Sequence, residues 1–189
     1  MASNTLKKRK IAVLGSRSVG KSSLVVQFIE NHFVEPYFPT IESTFSKGVV
    51  YKGVEYDCDI IDTAGQDEYS ILSSKHAIGI HGYILVYSVA SRRSFDMIQI
   101  VYDKIADFCG KNDIPCVIVG SKTDLQSSRQ VPPSEGEELA KLNKAAWVET
   151  SAKNNINVGK VFELCLAEIE KRSASSQTDQ PEAGRCLIM

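Results

Sequence analysis

The chain has 189 residues, 43% of them hydrophobic, which suits one compact domain with a sizeable core. A formal net charge of −1 and an isoelectric point near 6.3 provide no overall basic field, so nucleic acid is not an expected partner. Five cysteines form no CxxC pair and the three histidines make no ligand-spaced cluster with them, which excludes a disulfide framework and a zinc site and points to a reducing intracellular compartment.

Lys7-Lys8-Arg9-Lys10 reads as a solvated approach to a first strand over residues 10–15. No apolar h-region follows it and no apolar run reaches the ~18 residues of a bilayer span, so the chain is expected neither to be secreted nor to cross a membrane. The strand leads into GSRSVGKS, residues 15–22, and a helical pattern over residues 19–30. Strand, then GxxxxGK with Ser or Thr, then helix is the context of a P-loop. Gly15 and Gly20 free the backbone so that the N–H groups of Ser18, Val19 and their neighbours as far as Ser23 can wrap a phosphate at the positive end of the helix. Lys21 can neutralise β- and γ-phosphate oxygens, and Ser22 can offer a hydroxyl to Mg²⁺. Taken alone, the motif leaves open a glycine-rich turn with no ligand.

Residues 43–61 hold two strand-like runs about the hairpin signal Lys52-Gly53, which brings one antiparallel pair into an otherwise parallel sheet. Asp62-Thr63-Ala64-Gly65-Gln66 follows. There Asp62 can hold a magnesium-bound water, Gly65 can bring its N–H to a γ-phosphate, and Gln66 can orient an attacking water. Buried-type strands are expected at 82–89, 115–120 and 146–150, and helices at 94–108, 133–143 and 158–171. Ser121-Lys122-Thr123-Asp124 leaves the carboxyl end of a strand, where an open α/β sheet binds ligands. Asp124 can accept from guanine N1–H and N2–H₂, a pairing that adenine cannot return, and Lys122 can lay its stem along the base. Thr150-Ser151-Ala152-Lys153 follows the last strand, where the Ala152 N–H can donate to guanine O6. Each tetrapeptide is weak alone; four in order at strand ends are strong together.

The expected architecture is a P-loop NTPase fold of the α/β class: a doubly wound, mostly parallel six-stranded sheet with one antiparallel strand and helices on both faces. An extension over 1–8 precedes a nucleotide-binding domain over 9–171. A Ser/Gln/Pro-rich tail over 172–189 is expected to be disordered.

With these residues in place the sequence resembles the Ras-like small GTPases, and within them the Rheb subfamily, through RSVGKSSL from Arg17, PTIESTF from Pro39, DTAGQDEYS from Asp62 and GYILVYSV from Gly82. The resemblance implies a Mg²⁺-dependent switch that binds GTP or GDP and slowly hydrolyses GTP. It implies that Thr40 reaches Mg²⁺ and the γ-phosphate, that Tyr37 covers the phosphates, and that Phe33 stacks edgewise on the guanine. It also makes Tyr37, Phe38, Pro39, Thr40, Ile41, Glu42, Ser43, Thr44 and Phe45 the effector surface. The implied partners of this monomer are the TOR kinase complex as effector and a tuberin-type GAP. Two positions depart from the wider pattern. Ser121 replaces an asparagine whose amide ties the base loop to the P-loop, and its shorter hydroxyl is expected to reach only one of those partners. Phe38 replaces an acidic effector residue and points to a different partner set.

Arg17 inside the P-loop is expected to crowd Gln66 and slow hydrolysis. Two alternatives stay open: the side chain swings to solvent, or its charge stands in for an arginine finger. The chain ends Cys186-Leu187-Ile188-Met189, a CaaX box whose methionine favours farnesyltransferase and a farnesyl on Cys186. From Ser173 onward Arg185 is the only basic residue, so a single lipid implies weak, reversible residence at the cytoplasmic face of membranes beside a soluble cytoplasmic pool. Two rival readings are a GTP-binding interaction module with negligible hydrolysis, and an ATP-using P-loop kinase, which Asp124 disfavours.

Overall fold

The computed structural model describes residues 6–34, 40–65 and 78–175. Strands β1 (Lys7–Leu14), β2 (Ser43–Tyr51), β3 (Val54–Asp62), β4 (Gly82–Ser88), β5 (Cys116–Ser121) and β6 (Ala146–Glu149) form one sheet in the order β2-β3-β1-β4-β5-β6. β2 and β3 pair antiparallel and every other pair is parallel. Among the described residues four α-helices accompany the sheet: α1 (Lys21–Glu30), α2 (Arg92–Cys109), α3 (Pro133–Leu142) and α4 (Val158–Ser175). The doubly wound α/β architecture expected from the sequence is the one the chain adopts.

Side chains alternate between the two faces of each strand, and here both faces are covered. Ile11 and Val13 of β1 join a core with Leu24 and Val25 of α1 and Phe162, Leu166 and Ile169 of α4. Ala12 and Leu14 face the other way, into a core with Met97, Ile98 and Ile105 of α2 and Ala140 of α3. Burying each large aliphatic side chain contributes about 1.5–3 kcal/mol, which fixes β1 at the centre of the sheet.

Element boundaries depart from expectation where backbone pairing outweighs composition. β1 begins at Lys7 rather than at residue 10, because Lys7, Lys8 and Arg9 pair with Tyr56, Asp57 and Cys58 of β3 whatever their polarity. α1 begins at Lys21 rather than at residue 19, because the loop before it runs to a left-handed Gly20 that serves as N-cap. α4 continues past residue 171 to Ser175. No helix among the described residues is long and apolar enough to cross a membrane.

The sheet order reverses about β1, whose neighbours β3 and β4 lie to either side. That reversal opens a crevice beyond the carboxyl ends of the parallel strands, and the loops leaving β1, β3, β5 and β6 converge there.

Candidate nucleotide-binding site

The path of the P-loop is set at Gly15, whose φ is +145° and where a β-carbon would lie 2.1 Å from the Val86 carbonyl oxygen of β4. Only glycine passes that close. The loop then delivers the chain to the start of α1, where no side chain caps the first N–H groups. Gly20, Lys21, Ser22 and Ser23 instead line a cavity of about 640 Å³. Uncapped amides at a helix start favour an anion. Lys21 is buried, and its Nζ donates to the carbonyls of Gly15 at 3.1 Å and Ser16 at 2.9 Å. Burial pushes the pKa of its ammonium down to about 8 while Asp62 opposes the shift, and a phosphate beside it would raise the pKa again.

A cluster of oxygens lies next to this lysine. Ser22 Oγ of α1 and Thr40 Oγ1, ahead of β2, are 2.7 Å apart. Asp62 ends β3 at 4% exposure, and its Oδ1 is buried without a hydrogen-bond partner. Burial raises the carboxyl pKa, against a hydrogen bond from Ser22 and the charge of Lys21. An unpaired buried oxygen is costly, and two hydroxyls with a carboxylate are the donors that a hard divalent cation takes. Adjacent ligands of an octahedral Mg²⁺ at about 2.1 Å are separated by about 3.0 Å, within a few tenths of an ångström of the Ser22–Thr40 spacing, so these residues fit the ion. The Thr63 hydroxyl donates to the Val13 carbonyl at 2.7 Å and pins the end of β3 beside β1. Gly65 then rests against Arg17, whose side chain is otherwise exposed.

The far end of the cavity is built by the loops after β5 and β6. Ser121 is buried, with Oγ in hydrogen-bond contact with the Val19 carbonyl of the P-loop and 2.8 Å from the Tyr87 carbonyl of β4. Its oxygen therefore reaches both carbonyls, where one partner was expected, although its single proton is shared between them. Lys122 Nζ donates to the Ser18 carbonyl at 2.6 Å, a second tie to the P-loop. The Ser151 hydroxyl, fully buried, donates to Asp124 Oδ1 at 2.6 Å and fixes that carboxylate at the cavity wall. Phe33, Ala152 and Lys153 line the same end.

Thr150, which opens the last motif, lines the cavity too, as do Val26, Val34 and Leu125, which were not singled out in the sequence. Val34 and Leu125 directly follow Phe33 and Asp124, and Val26 lies one helical turn beyond Ser22, so adjacency was the available signal. Tyr37, Phe38, Pro39, Gln66 and Cys186 lie outside the described residues. Of the remaining expected effector residues, Ile41 is 87% exposed, while Ser43, Thr44 and Phe45 form the start of edge strand β2.

One cavity thus joins an anion-binding helix start with a buried lysine and an oxygen cluster to a carboxylate held out for a base, which are the parts of a P-loop nucleotide-binding protein. The Ras family model matches residues 10–171. The chain is 60% identical to the GTP-binding protein rhb1 of Schizosaccharomyces pombe, over 90% of this chain and 92% of that one. It is 55% identical to the small monomeric GTPase RhbA of Aspergillus fumigatus over 97% of each chain. It is 49% identical to the GTP-binding protein Rheb of Homo sapiens, over 97% of this chain and 98% of that one. The chain belongs to the Ras family, in which it is a Rheb-type small GTPase switch that binds and hydrolyses GTP.

Proposed function

We propose that the cavity holds the phosphates of GTP or GDP in the amides of residues 15–23 and the guanine between Phe33, Lys122 and Asp124. The observation that carries this reading is the unpaired Asp62 Oδ1 beside the Ser22–Thr40 pair and Lys21. Ser22 and Thr40 would hold Mg²⁺ directly and Asp62 through a water; when bound, the ion supplies neutralisation of charge on the β- and γ-phosphate oxygens. Lys21 neutralises the same oxygens from the P-loop side. Gly65 donates its N–H to the γ-phosphate, and Gln66 aligns the water that attacks phosphorus as the bond to GDP breaks. Asp124 accepts from the guanine edge and Ser151 keeps its carboxylate in place. Nucleotide extracted from the purified chain should be guanine nucleotide, and Asp124→Asn should weaken GTP binding and relax base preference. Extracted adenine nucleotide, or GTP affinity unchanged in the variant, overturns the assignment.

The GTP form activates the TOR kinase complex through residues 37–45, and a tuberin-type GAP returns it to GDP. Residues 9–171 form the switch, and residues 172–189 tether it through a farnesyl on Cys186 to the cytoplasmic face of membranes, with a soluble pool. The CaaX sequence and the apolar Ile41 on the effector segment support this reading. Cys186→Ser should leave hydrolysis intact and release the protein to the soluble fraction; retained membrane association overturns the tether.

A further inference from the structure

Two chain segments wall the far end of the cavity, and each leaves a well-held support. Residues 31–34 follow α1 and bring Phe33 to the wall, while the turn after β6 brings Ala152 and Lys153. The last turn of α1 is held from two sides. Phe28 stacks on Phe162 of α4 with ring centroids 3.8 Å apart, and Lys47 of β2 donates to the Phe28 carbonyl and, at 3.4 Å, to that of Ile29. The turn after β6 is closed by Ser151 and Ile156, which exchange backbone hydrogen bonds of 3.2 and 2.8 Å, and Asn157 Nδ2 donates to the Glu149 carbonyl at 2.9 Å.

A side-chain bond joins the two supports. Asn155 Nδ2 donates to Asn31 Oδ1 at 3.1 Å, and the buried Gln27 of α1 donates to the same oxygen at 3.4 Å. Both asparagines are left-handed, with φ +53° at Asn31 and +52° at Asn155. Asn31 is the C-cap of α1, its N–H donating to the Gln27 carbonyl at 3.0 Å, and the Asn155 N–H closes a turn onto the Ala152 carbonyl at 3.3 Å. Glycine satisfies that backbone at least as well, so conformation alone asks for no side chain at either place. The bond across the gap does. Phe33 lies two residues beyond Asn31 and Ala152 three before Asn155, so the bond sets how far apart the two walls stand.

We propose that Asn31 and Asn155 form a clasp beside the base and are positioning residues for the retention of guanine nucleotide, an inference that rests on the reading of this end of the cavity as the guanine pocket. Neither asparagine lines the cavity. They act through Phe33 on one wall and through Ala152 and Lys153 on the other. A base that leaves must part these walls, and the bond between the asparagines opens with them. It joins two neutral, exposed amides, so its loss should quicken release of GDP and GTP alike by about twofold to fivefold. Lys21, Ser22 and Thr40 stand at the other end of the cavity, so single-turnover hydrolysis should keep the parent rate.

The test measures release of fluorescent GDP from the full chain, from Asn31→Gly and Asn155→Gly, and from the double variant. Glycine keeps the left-handed backbone at both positions, so these variants should fold. Each single variant should release GDP about twofold to fivefold faster, and the double variant no faster than the quicker single one, because either change removes the same bond. In a Phe33→Ala chain, whose wall is already open, Asn155→Gly should quicken release no further. Release at the parent rate, single effects that multiply in the double variant, hydrolysis that changes in step with release, or a full Asn155→Gly effect in the Phe33→Ala chain each overturns the clasp and leaves the guanine pocket standing. If Asp124→Asn releases GDP at the parent rate, the pocket reading fails instead and the clasp falls with it.

Discussion

Gly65 lies on the P-loop at Arg17: a β-carbon on Gly65 would come within 2.6 Å of the Arg17 Cα and backbone nitrogen and 2.2 Å of its Cγ. The loop after β3 therefore takes its height from the backbone of residue 17. Gly65→Ala must lift that loop, because a backbone neighbour cannot give way as the end of a flexible side chain can. In the proposed function the Gly65 N–H meets the γ-phosphate, so lifting the loop would cost a contact to GTP and none to GDP. GTP affinity should fall about tenfold or more relative to GDP, the scale of a lost hydrogen bond to a charged group. Paired titrations with the two nucleotides check this, and an equal loss for both would show that the γ-phosphate does not read the contact.

Ser121 shares one hydroxyl proton between the carbonyls of Val19 and Tyr87. Ser121→Ala leaves both buried carbonyls short of a donor and cuts a tie between base loop and P-loop. GDP release should quicken by about threefold to tenfold. Ser121→Asn brings two N–H donors to the same place and should slow release below the parent rate. Displacement of a fluorescent nucleotide measures all three proteins, and equal rates would separate this tie from nucleotide release.

Ser121 also marks the limit of what the sequence makes legible. The sheet was readable because strands buried on both faces are continuous apolar runs, as in Gly82–Ser88, where every residue is buried. The P-loop and the three later motifs were readable because each acts at the end of a strand. The second partner of Ser121 was not, because Tyr87 comes within reach only through the register that sets Ser88 opposite Ser121. The contact of Arg17 with Gly65 likewise joins residues far apart in the chain that no periodicity links. Val26 and Leu125 looked like ordinary apolar positions, since a wall of a base pocket and a core face use the same side chains.

His81 extends the pairing of β1 with β4 by means of its ring. Its backbone N–H donates to the Lys10 carbonyl at 2.8 Å, and its ring Nδ1 accepts the Lys10 backbone N–H at 2.8 Å. Partial burial, followed by Arg9 and Lys10, lowers the imidazole pKa below its usual 6.5. A depressed folded-state pKa means that the stabilisation is complete above the unfolded value and is lost as pH falls through the folded one. Between about pH 7 and pH 5 the parent should lose about 0.5 kcal/mol more stability than His81→Phe, at the low end for a hydrogen bond because the ring is mostly exposed. Denaturant titrations across that range compare the two proteins, and parallel pH profiles would remove the ring from the sheet's stability.

Arg17 is the residue we propose sets how fast the switch turns itself off. Its stem and backbone abut Gly65, the residue before Gln66 in the chain, which supports the proposal that the side chain crowds the glutamine proposed to align water. A stimulating charge would have to bring the guanidinium onto the transferring phosphoryl group, whereas the contact seen is made by the stem and backbone. Arg17→Gly should therefore raise single-turnover GTP hydrolysis, on the order of tenfold, which is a modest share of what misplacing a reacting group by about 1 Å costs. GTP and GDP affinities should change little, because the amides that cradle phosphate remain. Arg17→Met keeps the stem and discards the charge, and so separates the readings. If crowding governs, it stays as slow as the parent; if charge assists, both variants hydrolyse more slowly than the parent and the obstruction idea is wrong. If both variants match the parent, the side chain stands in solvent and the slow step lies elsewhere in the site.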